Sequence, residues 1–301
     1  MQAFLSADNS VFYTPTMRAG LAIRTIVRAW TQYRTDRGIS AGAHILDIDG
    51  NAQRNAFLSL LSSAIQHTNS PLREAIKTVR SAAVPPIASE AEEAHEIIAA
   101  SQATLTDVNS ALDRPELPRD LLPRSLEIQR LFAYSDSLDE DPLAATAHTP
   151  CWAINIAAAA GHAGFHIGDP ALPCPGLVQR RLFRADLNPD ERRQIGLEII
   201  LEALHEALCD IAVQPRTAAV LNREFPNPRS NSRLMQAWMT LCAFGGLTTA
   251  QLARALSTTK AGAAKQLSQL TTLQLITPTG KFLPHKPAIQ IPIAFPQLHH
   301  D

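Results

Sequence analysis

The run from Gly245 to Gln251 reads Gly-Gly-Leu-Thr-Thr-Ala-Gln, and few folds accommodate it. A glycine pair ends the helix before it, because glycine enters left-handed backbone without a Cβ clash. Thr248 offers an N-cap oxygen, and Gln251, three residues on, an amide that answers the cap's own N–H, which together make a capping box. Before the glycines the apolar spacing predicts a helix over residues 231–243, with Leu234, Met235, Trp238, Leu241 and Cys242 on its buried side. The capping box opens a second helix over 249–256 that turns Leu252, Ala253 and Leu256 inward, Ala253 being small where two helices cross. A tight turn at Ser257-Thr258-Thr259 leads to a third helix over 260–273, with Leu267 and Leu270 facing the core. Gln274-Leu275-Ile276 then starts a strand, and Pro278-Thr279-Gly280 supplies a hairpin turn with Lys281 at its tip.

This order resembles the winged helix-turn-helix superfamily across the whole module, with two departures. Ser257 stands where a glycine is common, and the third helix is poor in arginine. The resemblance implies binding of double-stranded DNA, with the third helix in the major groove. On its exposed side the expected residues are Lys260, Gly262, Lys265, Gln266, Gln269 and Thr272. Lys265 suits guanine O6/N7 and Gln266 suits adenine N6/N7, while Arg254, Lys260 and Lys281 are expected on phosphates.

Charge supports that reading. The chain's formal net charge is −1, but residues 216–286 hold nine Lys or Arg and a single acid, Glu224, a balance of +8. The residues before them balance to −8, so a basic module follows an acidic body, the layout of a domain that meets phosphates. Nearly half the chain is apolar, and Ala and Leu outweigh the β-branched and aromatic residues, which favours helix. The fold class expected is therefore all-α: a multi-helix body followed by a winged helix-turn-helix with a small β-wing. The four cysteines are far apart, the chain does not open on a signal peptide, and no apolar run reaches the ~20 residues needed to cross a bilayer. A soluble, reduced, cytoplasmic protein without a membrane partner is expected.

Three regions are expected: an N-terminal helical region over 1–112, a central helical bundle over 125–215, and the winged module over 229–286. Helices are predicted over 17–37, 52–65, a short stretch after Ser70-Pro71, and 90–112, with an extended piece near 44–48. Pro115, Pro118 and Pro123 mark a linker, followed by helices near 125–134, 142–160 and 175–185. Asn188-Pro189 starts a helix that is expected to end at Pro215.

Leu172-Pro173-Cys174 before a basic helix, the helix over 189–213, and Arg229-Ser230-Asn231-Ser232-Arg233-Leu234 resemble an uncharacterised bacterial family. That family is known mainly from rhizobia and relatives and is often plasmid-encoded. The resemblance covers roughly residues 120–285 and implies a C-terminal helix-turn-helix on an unassigned helical body. It implies no established activity. The function expected from the basic winged module is a DNA-binding transcriptional regulator or a plasmid or mobile-element accessory factor, not an enzyme, with a homodimer on a palindromic site as a further expectation.

Other constellations are weaker. Glu92/His95 and Glu202/His205 have the i, i+3 spacing of di-iron bundles, yet both pairs fall on polar helix faces. Cys151, His162, His166 and Cys174 have zinc-ligand chemistry, in an irregular glycine-rich stretch. No cofactor, metal or catalytic residue is expected. The competing readings are a helical scaffold whose winged domain contacts protein, and a metal-dependent enzyme in the body.

Overall fold

A computed structural model describes residues 15–40, 44–65, 70–118, 123, 126–128, 151–160, 176–184, 186–224, 226, 228–277 and 286–287. These residues are predominantly helical, with one two-stranded pairing among them. The chain divides into two compact units, Met1–Ala207 and Leu208–Asp301.

The first unit contains α1 (Pro15–Asp36), α2 (Asn51–Ala64), α3 (Ser70–Ala82), α4 (Ala88–Leu112), α5 (Cys151–Ala160) and the opening half of α6 (Pro189–Glu224). α1 packs on α3 and α5, and α2 on α4 and α5. The broad apolar stripe of α1 is buried as its spacing predicts, from Leu21 through Ile26 and Trp30 to Tyr33. Trp30 and Tyr33 stack at 6.1 Å between centroids, Phe57 of α2 meets Trp30 edge-on at 5.6 Å, and Trp152 of α5 meets Tyr33 edge-on at 5.9 Å. Such offset and edge arrangements suit the ring quadrupole and join three helices at one point.

α2 and α4 run parallel. Asn51 donates to Glu90 at 2.6 Å and Gln53 to Glu93 at 2.8 Å, so both numbers rise together along the pair. Ala52, Ala56 and Ala94 are buried between them, with Ile97 and Ile98 packed alongside. Small residues permit the close approach, and the parallel sense requires the crossover through α3. Arg54 is buried to 1 % and donates to the carbonyls of Val84 (3.2 Å) and Ile45 (3.5 Å) on either side of that crossover. Burial pulls its guanidinium below the usual range, against the opposing charge of Glu90.

Three sequence expectations need correction. Residues 44–48 are not extended: His44 N–H donates to the Asp47 carboxylate at 2.7 Å, Asp47 N–H returns to the His44 carbonyl, and a 3-10 turn follows at Ile48–Gly50. A local side-chain acceptor here outcompetes a strand that has no partner. Residues 176–184 are not an α-helix but an irregular strap with one 3-10 turn, Arg180–Phe183. Pro215 does not end its helix, because α6 continues as one element to Glu224. Proline removes one N–H donor, a cost that the surrounding turns of a 36-residue helix absorb.

The second unit contains the rest of α6, then α7 (Pro228–Phe244), α8 (Thr249–Ala255), α9 (Lys260–Thr272), β1 (Ile276–Thr277) and β2 (Lys286–Pro287). α7, α8 and α9 pack on one another around Leu234, Trp238, Leu241, Leu252, Ala253, Ala263, Leu267 and Leu270. β1 and β2 are antiparallel, pairing Ile276 with Pro287 and Thr277 with Lys286; β1 lies on α9 and β2 on α7. The expected hairpin turn at 278–280 and Lys281 lie outside the described residues.

Candidate nucleic-acid interface

The capping box is present in full. Thr248 Oγ1 accepts from the Gln251 N–H at 3.2 Å, and Gln251 Oε1 accepts from the Thr248 N–H at 2.9 Å. α8 closes with Ser257 at φ +49°, its N–H donating to the Arg254 carbonyl and the Thr258 N–H to the Ala253 carbonyl at 2.9 Å. That is a Schellman closure with serine in the place usually held by glycine. Thr259 then caps α9 by accepting from the Gly262 N–H at 3.0 Å. A Cβ on Gly262 would lie 2.8 Å from Thr258 Oγ1, so a larger residue there obliges the Thr258 side chain to turn aside. α9 ends as α8 does, with Gln274 at φ +57° and the Leu275 N–H on the Leu270 carbonyl at 3.0 Å. Two caps and two left-handed closures thus set the path of the chain through α8 and α9 by local chemistry alone.

On this frame Arg254, Lys260 and Lys265 are exposed. Gln266 and Gln269 are half-buried, not on the outward face as expected. The reason is helical arithmetic. Gln266 lies three residues from Ala263 and four from Leu270, both buried, and its Oε1 is buried with no hydrogen-bond partner among the described residues. Ala261, Ser268 and Thr272 lie one or two turns from Lys265, and Ala264 is its immediate neighbour; all four are exposed. Counting i−4, i+3 and i+7 from Lys265 in the sequence finds the first three. No Asp or Glu occurs between residues 225 and 286, so no acid on α7, α8 or α9 opposes the exposed cations.

Beside Ala264 an open recess of about 390 Å³ lies between α9 and the first turn of α8, lined also by Thr249, Leu267, Ser268, Thr271 and Thr272. The hydroxyls of Thr271 and Thr272 donate to the carbonyls of Leu267 and Ser268, one turn back, at 2.9 and 3.0 Å.

The first unit holds a separate polar cluster where the strap crosses α1 and α5. Asn155 is buried to 1 %; its amide donates to the Val178 carbonyl at 2.9 Å and accepts from the Val178 N–H at 3.2 Å. The same Nδ2 donates to Asp36 at 3.3 Å, and Arg180 donates to the Asp36 carbonyl. Burial pushes the Asp36 carboxyl up to about 7, against the opposing pull of the Asn155 hydrogen bond and the Arg180 charge. Burial, aided by the charge of Asp36, also pushes up the Cys151 thiol. Gly176 in this strap has φ +89°, and a Cβ on it would lie 2.8 Å from Gln32 Nε2.

The metal-type constellations are not assembled among the described residues. Glu92 and His95 are exposed on α4, Glu202 pairs with Arg181 at 2.8 Å, and Glu206 pairs with Arg28. His205 is exposed on α6. Of the zinc-type set only Cys151 is described, and it is fully buried; His162, His166 and Cys174 lie outside the described residues. No group of three or more His, Cys, Asp or Glu side chains gathers closely enough to hold a metal among the described residues. No helix among them is long and apolar enough to cross a membrane.

No family model matches the chain, and no curated protein matches it.

Proposed function

We propose that the second unit is a winged helix-turn-helix that binds double-stranded DNA, with α9 in the major groove and the β1–β2 pair as the wing. The observation that carries the proposal is the capped α8–turn–α9 pair, which presents Arg254, Lys260 and Lys265 on elements free of any acid. A helix whose outward face is small and cationic fits a groove lined by base edges and flanked by phosphates. The role that follows is a transcriptional regulator or a plasmid or mobile-element accessory factor.

Binding of the full chain to a random-sequence duplex pool, measured across salt concentrations, tests the proposal. If Arg254, Lys260 and Lys265 each neutralise one phosphate, they alone give a log–log salt slope of roughly −3, and Lys260→Ala reduces the slope by about 1. Affinity that is flat with salt, or unchanged in the Lys260→Ala, Lys265→Ala double variant, refutes this interface.

A further inference from the structure

We infer that α9 recognises a 5-methylpyrimidine in the major groove, through the recess beside Ala264. The inference rests on the DNA-binding reading above and assigns its base specificity.

The two side chains with the most hydrogen-bonding capacity near the base edges are not available for it in the expected way. Gln266 and Gln269 are half-buried, and Gln266 Oε1 is turned away from solvent. The outward face is instead Ala261, Ala264, Lys265, Ser268 and Thr272. At its flank the recess is lined by Thr249, Ala264, Leu267, Ser268, Thr271 and Thr272. Both threonine hydroxyls donate to carbonyls of their own helix, so each has its γ-methyl left to offer a ligand. The recess therefore sets the methyls of Ala264, Thr271 and Thr272 beside the hydroxyls of Thr249 and Ser268, with no charged side chain in its lining and one lysine, Lys265, next to Ala264 in the sequence. In the major groove the one apolar feature of a base edge is the C5-methyl group, carried by thymine or by 5-methylcytosine. Alanine and threonine methyls are the protein groups that contact it well.

The test starts from the tightest duplex selected by the full chain from a random pool. Each thymine is replaced in turn by deoxyuridine, which removes only the methyl. At one position or more the wild-type protein loses roughly fourfold in affinity, the effect of one buried methyl-sized group. Thr272→Ser keeps the hydroxyl and its bond to the Ser268 carbonyl but drops the γ-methyl, and the deoxyuridine penalty shrinks in that variant. A parallel duplex with 5-methylcytosine against cytosine at the same step shows whether the second source of the methyl is read. A wild-type protein that binds thymine and uracil duplexes equally, and methylated and unmethylated cytosine equally, overturns this inference while leaving DNA binding intact. A protein that binds no duplex at all overturns the DNA reading itself.

Discussion

Asp36 lets a single atom change be followed through to a measurable slope. Its carboxyl is 5 % exposed, its ordinary value of 3.8 is pushed up to about 7, and its one side-chain hydrogen bond comes from Asn155. An acid with a raised value in the folded state holds its proton more tightly there than when unfolded. It therefore costs no stability below about pH 4, and the cost grows until the pH passes about 7. At ~1.4 kcal/mol per unit, a rise of about three units is worth roughly 4 kcal/mol over the whole range. Between pH 5 and pH 8 the same two values give about 3 kcal/mol. Asp36→Asn removes the titration and keeps an oxygen for Asn155 to donate to. Urea unfolding of the first unit is followed by Trp30 and Trp152 fluorescence, in a Trp238→Phe background that silences the second unit. Trp238 Nε1 has no partner among the described residues, so phenylalanine removes no bond found there. The expected result is that Asp36→Asn gains about 3 kcal/mol on the parent as the pH rises from 5 to 8, a midpoint shift of about 1 M urea. A gap between the two proteins that is the same at both pH values would refute the reasoning, because it would mean Asp36 is ionised in the fold throughout that range, as it is in the unfolded chain.

The second unit offers two opposite perturbations. Ser257→Gly relieves a side chain at φ +49° and stabilises the unit by about 1 kcal/mol, read from the Trp238 unfolding midpoint. Thr248→Ala deletes the cap oxygen of α8 and costs about 1 kcal/mol by the same measurement. In the first unit Gly176→Ala faces both φ +89° and Gln32 Nε2 at 2.8 Å, so it speeds hydrogen exchange across residues 176–183. A Gly176→Ala protein whose exchange there is unchanged would contradict the close packing of the strap.

What was legible in the sequence was what local chemistry decides. The Thr248/Gln251 box and the α1 stripe depend on residues a few turns apart at most, and each forms as the spacing implies. The strap was misread because its conformation depends on Asn155, more than twenty residues away, whose amide takes both backbone groups of Val178. A basic, leucine-containing run reads as helix until its hydrogen bonds are claimed from outside. Pro215 shows the converse, since a residue that punctuates a short helix is carried within one that extends on both sides of it. In α9 the cationic members of the site were read correctly as exposed, yet Gln266 was assigned by its base chemistry when its distance from Ala263 and Leu270 already placed it toward the core.

The parallel pairing of α2 with α4 also governs when the first unit is complete during synthesis. Asn51 waits for Glu90, Asp36 for Asn155, Asn155 for Val178, and Arg28 for Glu206. Each partner emerges later than the last, so the ribosome releases a body whose final ion pair exists only after some two hundred residues have been made. Contacts of such wide separation form slowly, because the long loops must close before any of them is rewarded. α7, α8 and α9 pack on immediate neighbours and need no such wait. The nascent chain thus carries its acidic body half-assembled until Glu206 has been made, with Trp30, Tyr33 and Phe57 lacking Trp152 until the fifth helix arrives.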